Sequence, residues 1–187
     1  FERLSLALHK RTQDGAFAIP PSTTLALALD CGREWRFLIL GDSGIRLNGT
    51  DVLQPTKLID KVSTIARVAL FRHLRDTFSP DALDEAEMTT RRAIFLGLDQ
   101  SVAEDRIPAA LAGEIIAQAT QACDLADHAG TVESFLRSGI CKQYHFANRP
   151  GTVFSFDTMN GTAPCLSQWI DRTFPKDAIQ SIELFTD

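Results

Sequence analysis

No apolar run in this chain approaches the ~18 residues that a membrane-spanning helix needs, and no charged segment leads into an apolar one at its start. The protein is therefore expected to be soluble and cytoplasmic, with no membrane partner. Lysine and arginine form no cluster, and a net charge of -5 leaves no electrostatic footprint for nucleic acid, so none is expected as a partner. The four cysteines, Cys31, Cys123, Cys141 and Cys165, make no C-x-x-C pair. That spacing excludes a zinc site or a thioredoxin-type motif, and reduced, mostly buried thiols are expected. Internal repeats, low-complexity tracts and long linkers are also absent, which excludes a repeat architecture.

What is present suits one globular domain spanning 1–187. Hydrophobic residues make up 44% of the 187 positions and charged residues 23%, enough apolar material for a core. "ERLSLALHKRTQDG" has the spacing of a short amphipathic helix with Gly15 as its stop. "STTLALALD", the turn "DCGRE" and "EWRFLILGD" predict a hairpin from Thr23 to Leu40, with the continuous run Phe37 to Leu40 covered on both faces. "GIRLNGTDVL" adds a strand and an Asn48-Gly49 turn.

From about 55 to 145 the pattern becomes helical. Leu58, Val62, Ile65, Ala66 and Ala69 mark one helix, and Ser79-Pro80 ends it and starts the next, with Ser79 as N-cap. Ile107, Leu111, Ile115, Ile116 and Ala119 mark a third helix, and Val132, Phe135, Leu136 and Ile140 a fourth. Beyond this block "TVFSFD" alternates as a strand, "APCLSQWIDRTF" reads as a helix stopped by Pro175, and "AIQSIELFTD" is the last strand. The order of elements predicts an α+β fold. Because the chain opens on Phe1 and closes on a strand pattern, it is expected to be incomplete at both ends.

Three kinds of chemistry can be read in the motifs. Gly41-Asp42-Ser43-Gly44 resembles the nucleophile segment of trypsin-like proteases, but the following Gly-Pro and the triad contexts are missing. His9, His73, His128 and His145 show no paired spacing and read as surface or core residues. An N-terminal-threonine hydrolase using Thr23 with Lys57 or Lys61 is a second alternative, but no cleavage point precedes Thr23. In the third reading, Asp42 and Asp187 each close an apolar strand and could hold divalent cations, which need oxygen ligands on a rigid frame. On spacing alone the favoured reading of both is a turn aspartate bonding its own backbone.

Two longer stretches resemble one family. "PPSTTLALALDCGREWRFLILGDSGIRLNG" is similar to the core of the metal-dependent (PPM, type 2C) protein serine/threonine phosphatases, where a Ser-Thr strand leads through a hairpin to Gly-Asp-Ser. "TVFSFDTMNGTAPCLSQWIDRTFPKDAIQSIELFTD" resembles the bacterial type 2C-like branch, whose apolar strand ends in Thr-Asp-Gly. The likeness covers Ala16 to Gly49 and Pro150 to Asp187.

This resemblance implies a four-layer α/β/β/α sandwich of two antiparallel sheets flanked by helices, with the helical block between the β segments. It implies a metal-dependent phosphatase acting on a phosphoprotein or a small phosphoester through a metal-activated water. It makes Asp187 a ligand of a pair of Mn2+ or Mg2+ ions and Asp42 an accessory ligand, with no cysteine or histidine nucleophile. The family's Asp-Gly ligand motif, its phosphate-holding arginine and a further ligand aspartate have no counterpart among these residues, and Gly44 stands where an arginine often follows Gly-Asp-Ser. A catalytically inactive domain of the same fold, acting as a regulatory or binding module, is the alternative.

Overall fold

The computed structural model describes residues 2–13, 21–162 and 168–186. The chain divides into two compact units, one formed by 1–57 with 146–187 and the other by 58–145. The second coincides with the helical block, and the fold is α+β.

The first unit begins with α1 (Glu2–Gln13) and holds two three-stranded antiparallel sheets. One has the order β1 (Leu25–Asp30), β2 (Glu34–Leu40), β5 (Ile170–Pro175); the other has β4 (Asp51–Leu53), β3 (Gly44–Leu47), β6 (Ile182–Phe185). Side chains alternate along a strand, so Phe37 and Ile39 of β2 share one face, as do Ile45 and Leu47 of β3. These four are buried together as the core of a two-sheet sandwich, with Ala26, Ala28, Ile170 and Phe174 packed around them. The Phe37 and Phe174 rings meet at 5.8 Å. On the opposite face of β2 Leu40 is buried and Leu38 half-buried, so the run is covered on both faces.

Turn chemistry sets the connections. Gly32 supplies φ 87° between β1 and β2. Asn48 and Gly49 take φ 53° and 75° to join β3 to β4. The Asn48 side chain also donates to Ala178 O at 3.0 Å and accepts from Gln180 N at 2.7 Å, which fixes the chain entering β6 against the end of β3.

Two segments differ from expectation. Ile170–Pro175 is strand β5, not part of a helix; residues 163–167 of that expected helix lie outside the described residues. Ile170 and Phe174 are four apart, a spacing that fits both periodicities, and pairing with β2 decides between them. A bidentate ion pair between Arg36 and Asp171, at 2.9 and 2.6 Å, bridges the two strands. The "TVFSFD" segment makes only isolated bridges, Phe156 to Ala147 and, just beyond the segment, Met159 to Thr23. In place of a ladder the Asn148 main-chain N–H donates to Phe156 O at 2.8 Å, and the Asn148 side chain holds the residue that follows the segment. The Asn148 amide accepts from Thr158 N and donates to Thr158 O, both at 2.8 Å, which satisfies the backbone without a neighbouring strand.

The helical unit contains α2 (Leu58–Thr77), α3 (Leu83–Leu96), α4 (Leu98–Ala103), α5 (Ala109–Ala122) and α6 (Ala129–Ser138). The expected spacings fall in α2, α5 and α6 except at two ends, Ile107, which precedes α5, and Ile140, which opens the 3-10 segment after α6; the buried residues include Val62, Ala66, Leu111, Ile115, Val132 and Phe135. Ser79 leads into a single 3-10 turn, Pro80–Ala82, before α3, and its side chain makes no capping bond. Helix α4 was not legible, because six residues are too few to display a period. Among the described residues no helix is long and apolar enough to cross a membrane.

Glu104 ties α3 to the turn after α4. It accepts from Arg92 at 2.7 and 3.0 Å, from Arg106 at 2.8 Å and from Gln100 at 2.9 Å. These donors, Arg92 foremost, hold its carboxyl at about 2 against an ordinary 4.5. A depressed carboxylate stabilises the fold above its unfolded value and loses that contribution as pH falls through the folded value. Acid titration followed by circular dichroism will therefore show a Glu104-dependent loss of stability between pH 4.5 and about 2, and Glu104→Gln will remove that component.

Candidate functional site

The Gly-Asp-Ser-Gly turn lies where strand ends converge. It joins β2 to β3, with Leu25 at the start of β1 paired to Leu40 and Phe185 at the end of β6 paired to Gly44. Both glycines are required by their surroundings. Gly41 has φ 82°, and a Cβ there would strike the Thr24 side chain; a Cβ on Gly44 would enter the Phe185 ring. Ser43 is buried, and its hydroxyl shares a 2.6 Å hydrogen bond with Thr24 Oγ1.

Asp42 is therefore held in a fixed frame. Its carbonyl accepts from Gln54 Nε2 at 2.7 Å. Its carboxylate Oδ2 accepts from Lys57 Nζ at 2.9 Å, with the two side chains only 11% (Lys57) and 24% (Asp42) exposed. The same ammonium sits 4.7 Å from the centre of the Phe156 ring, whose face attracts a cation. Next to Phe156, Asp157 is buried, accepts from Gln168 N at 3.4 Å, and places its carbonyl oxygen near Gly41.

Of the two expected metal ligands, Asp42 is at this vertex and Asp187 lies outside the described residues. The described donor set does not fit a binuclear metal centre. Asp42 is already paired with an ammonium, and among the described residues no group of three or more His, Cys, Asp or Glu side chains could hold a metal ion. Lys57 as the partner of Asp42 and Asp157 as a second acid near the vertex were both missed. Asp157 had a signal, since it closes the apolar "TVFSF" as Asp42 closes "RFLILG". Lys57 had none, because a separation of fifteen positions carries no spacing rule.

The other candidates are structural. Thr23 exchanges backbone hydrogen bonds with Met159 at 3.0 and 2.9 Å, so its nitrogen is a bonded peptide amide rather than a base. Lys57, weighed as its catalytic partner, neutralises Asp42. Burial pushes the Cys123 thiol up, as for a core residue, while Cys31 is exposed and Cys141 half-buried. Of the described thiols only Cys123 is thus buried, because Cys31 belongs to the hairpin turn; Cys165 lies outside the described residues.

No family model, curated protein or solved structure matches the chain.

Proposed function

We propose that this chain is part of a type 2C-like metal-dependent phosphatase, hydrolysing phosphoserine, phosphothreonine or another phosphomonoester. One observation carries the reading. β6, the strand of "SIELF", lies antiparallel against β3 with Phe185 opposite Gly44, so the Gly-Asp-Ser turn of one resembling stretch and the last strand end of the other lie at the same end of one sheet. Convergent strand ends on a packed sandwich are a rigid support for oxygen ligands. Asp187 is the residue whose carboxylate the reading requires. Because the described residues alone do not fit the metal pair, the reading depends on ligands beyond them. Isothermal titration of the whole protein with Mn2+ tests it: binding lost in Asp187→Asn supports the reading, and no Mn2+ binding sinks it.

The Lys57–Asp42 pair favours a second reading, an inactive regulatory or binding module. A fixed ammonium at the accessory position supplies the positive charge that a divalent ion would otherwise bring. The variant Lys57→Met separates the two. Removing the ammonium leaves a largely buried carboxylate unpaired, a cost of about 1–3 kcal/mol in the absence of metal. In a site competent for cations, millimolar Mn2+ will recover that loss in Tm for Lys57→Met and leave the parent protein's Asp42 pair undisturbed. A Tm that ignores Mn2+ in the variant favours the module.

A further inference from the structure

The helical unit carries a surface that its own packing leaves open. On α3, Met88, Arg91, Arg92 and Phe95 are spaced i, i+3, i+4 and i+7, which puts them on one stripe. The opposite stripe is the core face, where Ala86, Thr90 and Ala93 are buried. Met88 is 64% exposed and Phe95 56%, high values for large apolar side chains. Arg67 from α2 and Arg106 from beyond α4 flank the stripe, and together they line a groove of about 820 Å³.

The charges here are unbalanced. Glu104 takes both Arg92 and Arg106, and Arg67 has Glu87 at 3.8 Å. Four guanidiniums face two carboxylates, which leaves two positive charges on a chain whose net charge is -5. Arg91 makes no ion pair among the described residues. We propose that this groove docks an acidic amphipathic segment of a partner protein, with Phe95 and Met88 receiving its apolar side chains and Arg91 pairing with a carboxylate. Arginine, methionine and aromatic residues are the types that concentrate binding energy at protein interfaces. Charge complementarity selects an acidic occupant, and the exposed apolar pair selects one with an apolar face. A phosphate backbone fits less well, because Glu87 and Glu104 stand at the same surface. This inference does not depend on the phosphatase reading.

The test is selection of a random peptide library, with peptides long enough to form a helix, on the immobilised whole protein. Enriched peptides are then measured by fluorescence anisotropy against the parent, Arg91→Glu and Phe95→Ser, each checked for an unchanged melting curve. Both positions are exposed, so neither variant disturbs the core. The expected result is enrichment of peptides that combine acidic residues with apolar residues at helical spacing. Their affinity should fall about tenfold or more in each variant, as for a hot-spot contact. No enrichment, peptides without acidic residues, or affinity unchanged by Arg91→Glu would overturn the proposal. So would sedimentation showing self-association that Phe95→Ser abolishes, which assigns the groove to a second copy. Binding of a DNA duplex or of anionic vesicles that Arg91→Glu removes, with no peptide selected, also counts against it.

Discussion

Gly97→Ala will unfold the helical unit at a temperature far below that of the parent protein. Gly97 links α3 to α4 with φ 103°, and Gly139 ends α6 with φ 80°. The two are in backbone contact: a Cβ on Gly97 would collide with Arg137 O and lie 2.8 Å from the Ser138 carbonyl carbon, and one on Gly139 would collide with Gly97 N. A left-handed φ on alanine costs about 1–3 kcal/mol, and these neighbours are main chain, so they cannot rotate away. Together the two effects amount to about 3–5 kcal/mol, a large share of an ordinary domain's stability. Gly113→Ala is the control. Gly113 is exposed within α5 and a Cβ there meets nothing within 4 Å, so alanine should stabilise by about 0.5–1 kcal/mol through helix propensity. Chemical denaturation monitored by circular dichroism checks both signs at once. A Gly97→Ala variant as stable as the parent would refute the glycine contact.

The second large effect concerns activity. Asp187→Asn should lower Mn2+-supported phosphoester hydrolysis by about 100-fold or more, since loss of an outer-shell partner alone already costs 10–100-fold. Asp42→Asn should cost less, about 10-fold, because in the folded chain its carboxylate is neutralised by Lys57. Equal losses in the two variants would contradict that ranking.

The parts of the fold legible in the sequence were those where local and tertiary forces agree. The β1–β2 hairpin follows from "DCGRE" between alternating strands, and the helical block follows from apolar residues at 3.6-residue spacing that are buried in the structure. Strand β5 was misread because Ile170 and Phe174 satisfy two periods, and only the register with β2, including Arg36 to Asp171, distinguishes them. Residues 152–157 were misread for the opposite reason. Their alternation is real, with Phe154 and Phe156 buried, but the segment forms one isolated bridge, Phe156 to Ala147, in place of a ladder.

The candidate site was legible in one residue. Asp42 stands out as a carboxylate closing a buried strand, and the collisions that a Cβ would make at Gly41 and Gly44 explain why glycines flank it. Lys57 was not legible as its partner, because a salt bridge across a turn is made by the fold and leaves no periodic trace.

The central claim, proposed above, is a metal-dependent phosphatase site at the sheet end where β3 begins and β6 finishes. Its most direct measurement is the rate of p-nitrophenyl phosphate hydrolysis by the whole protein with and without Mn2+, in the parent and in Asp187→Asn. The account predicts turnover that requires Mn2+ and is lost in Asp187→Asn. Absent turnover, or turnover indifferent to Mn2+, would contradict it.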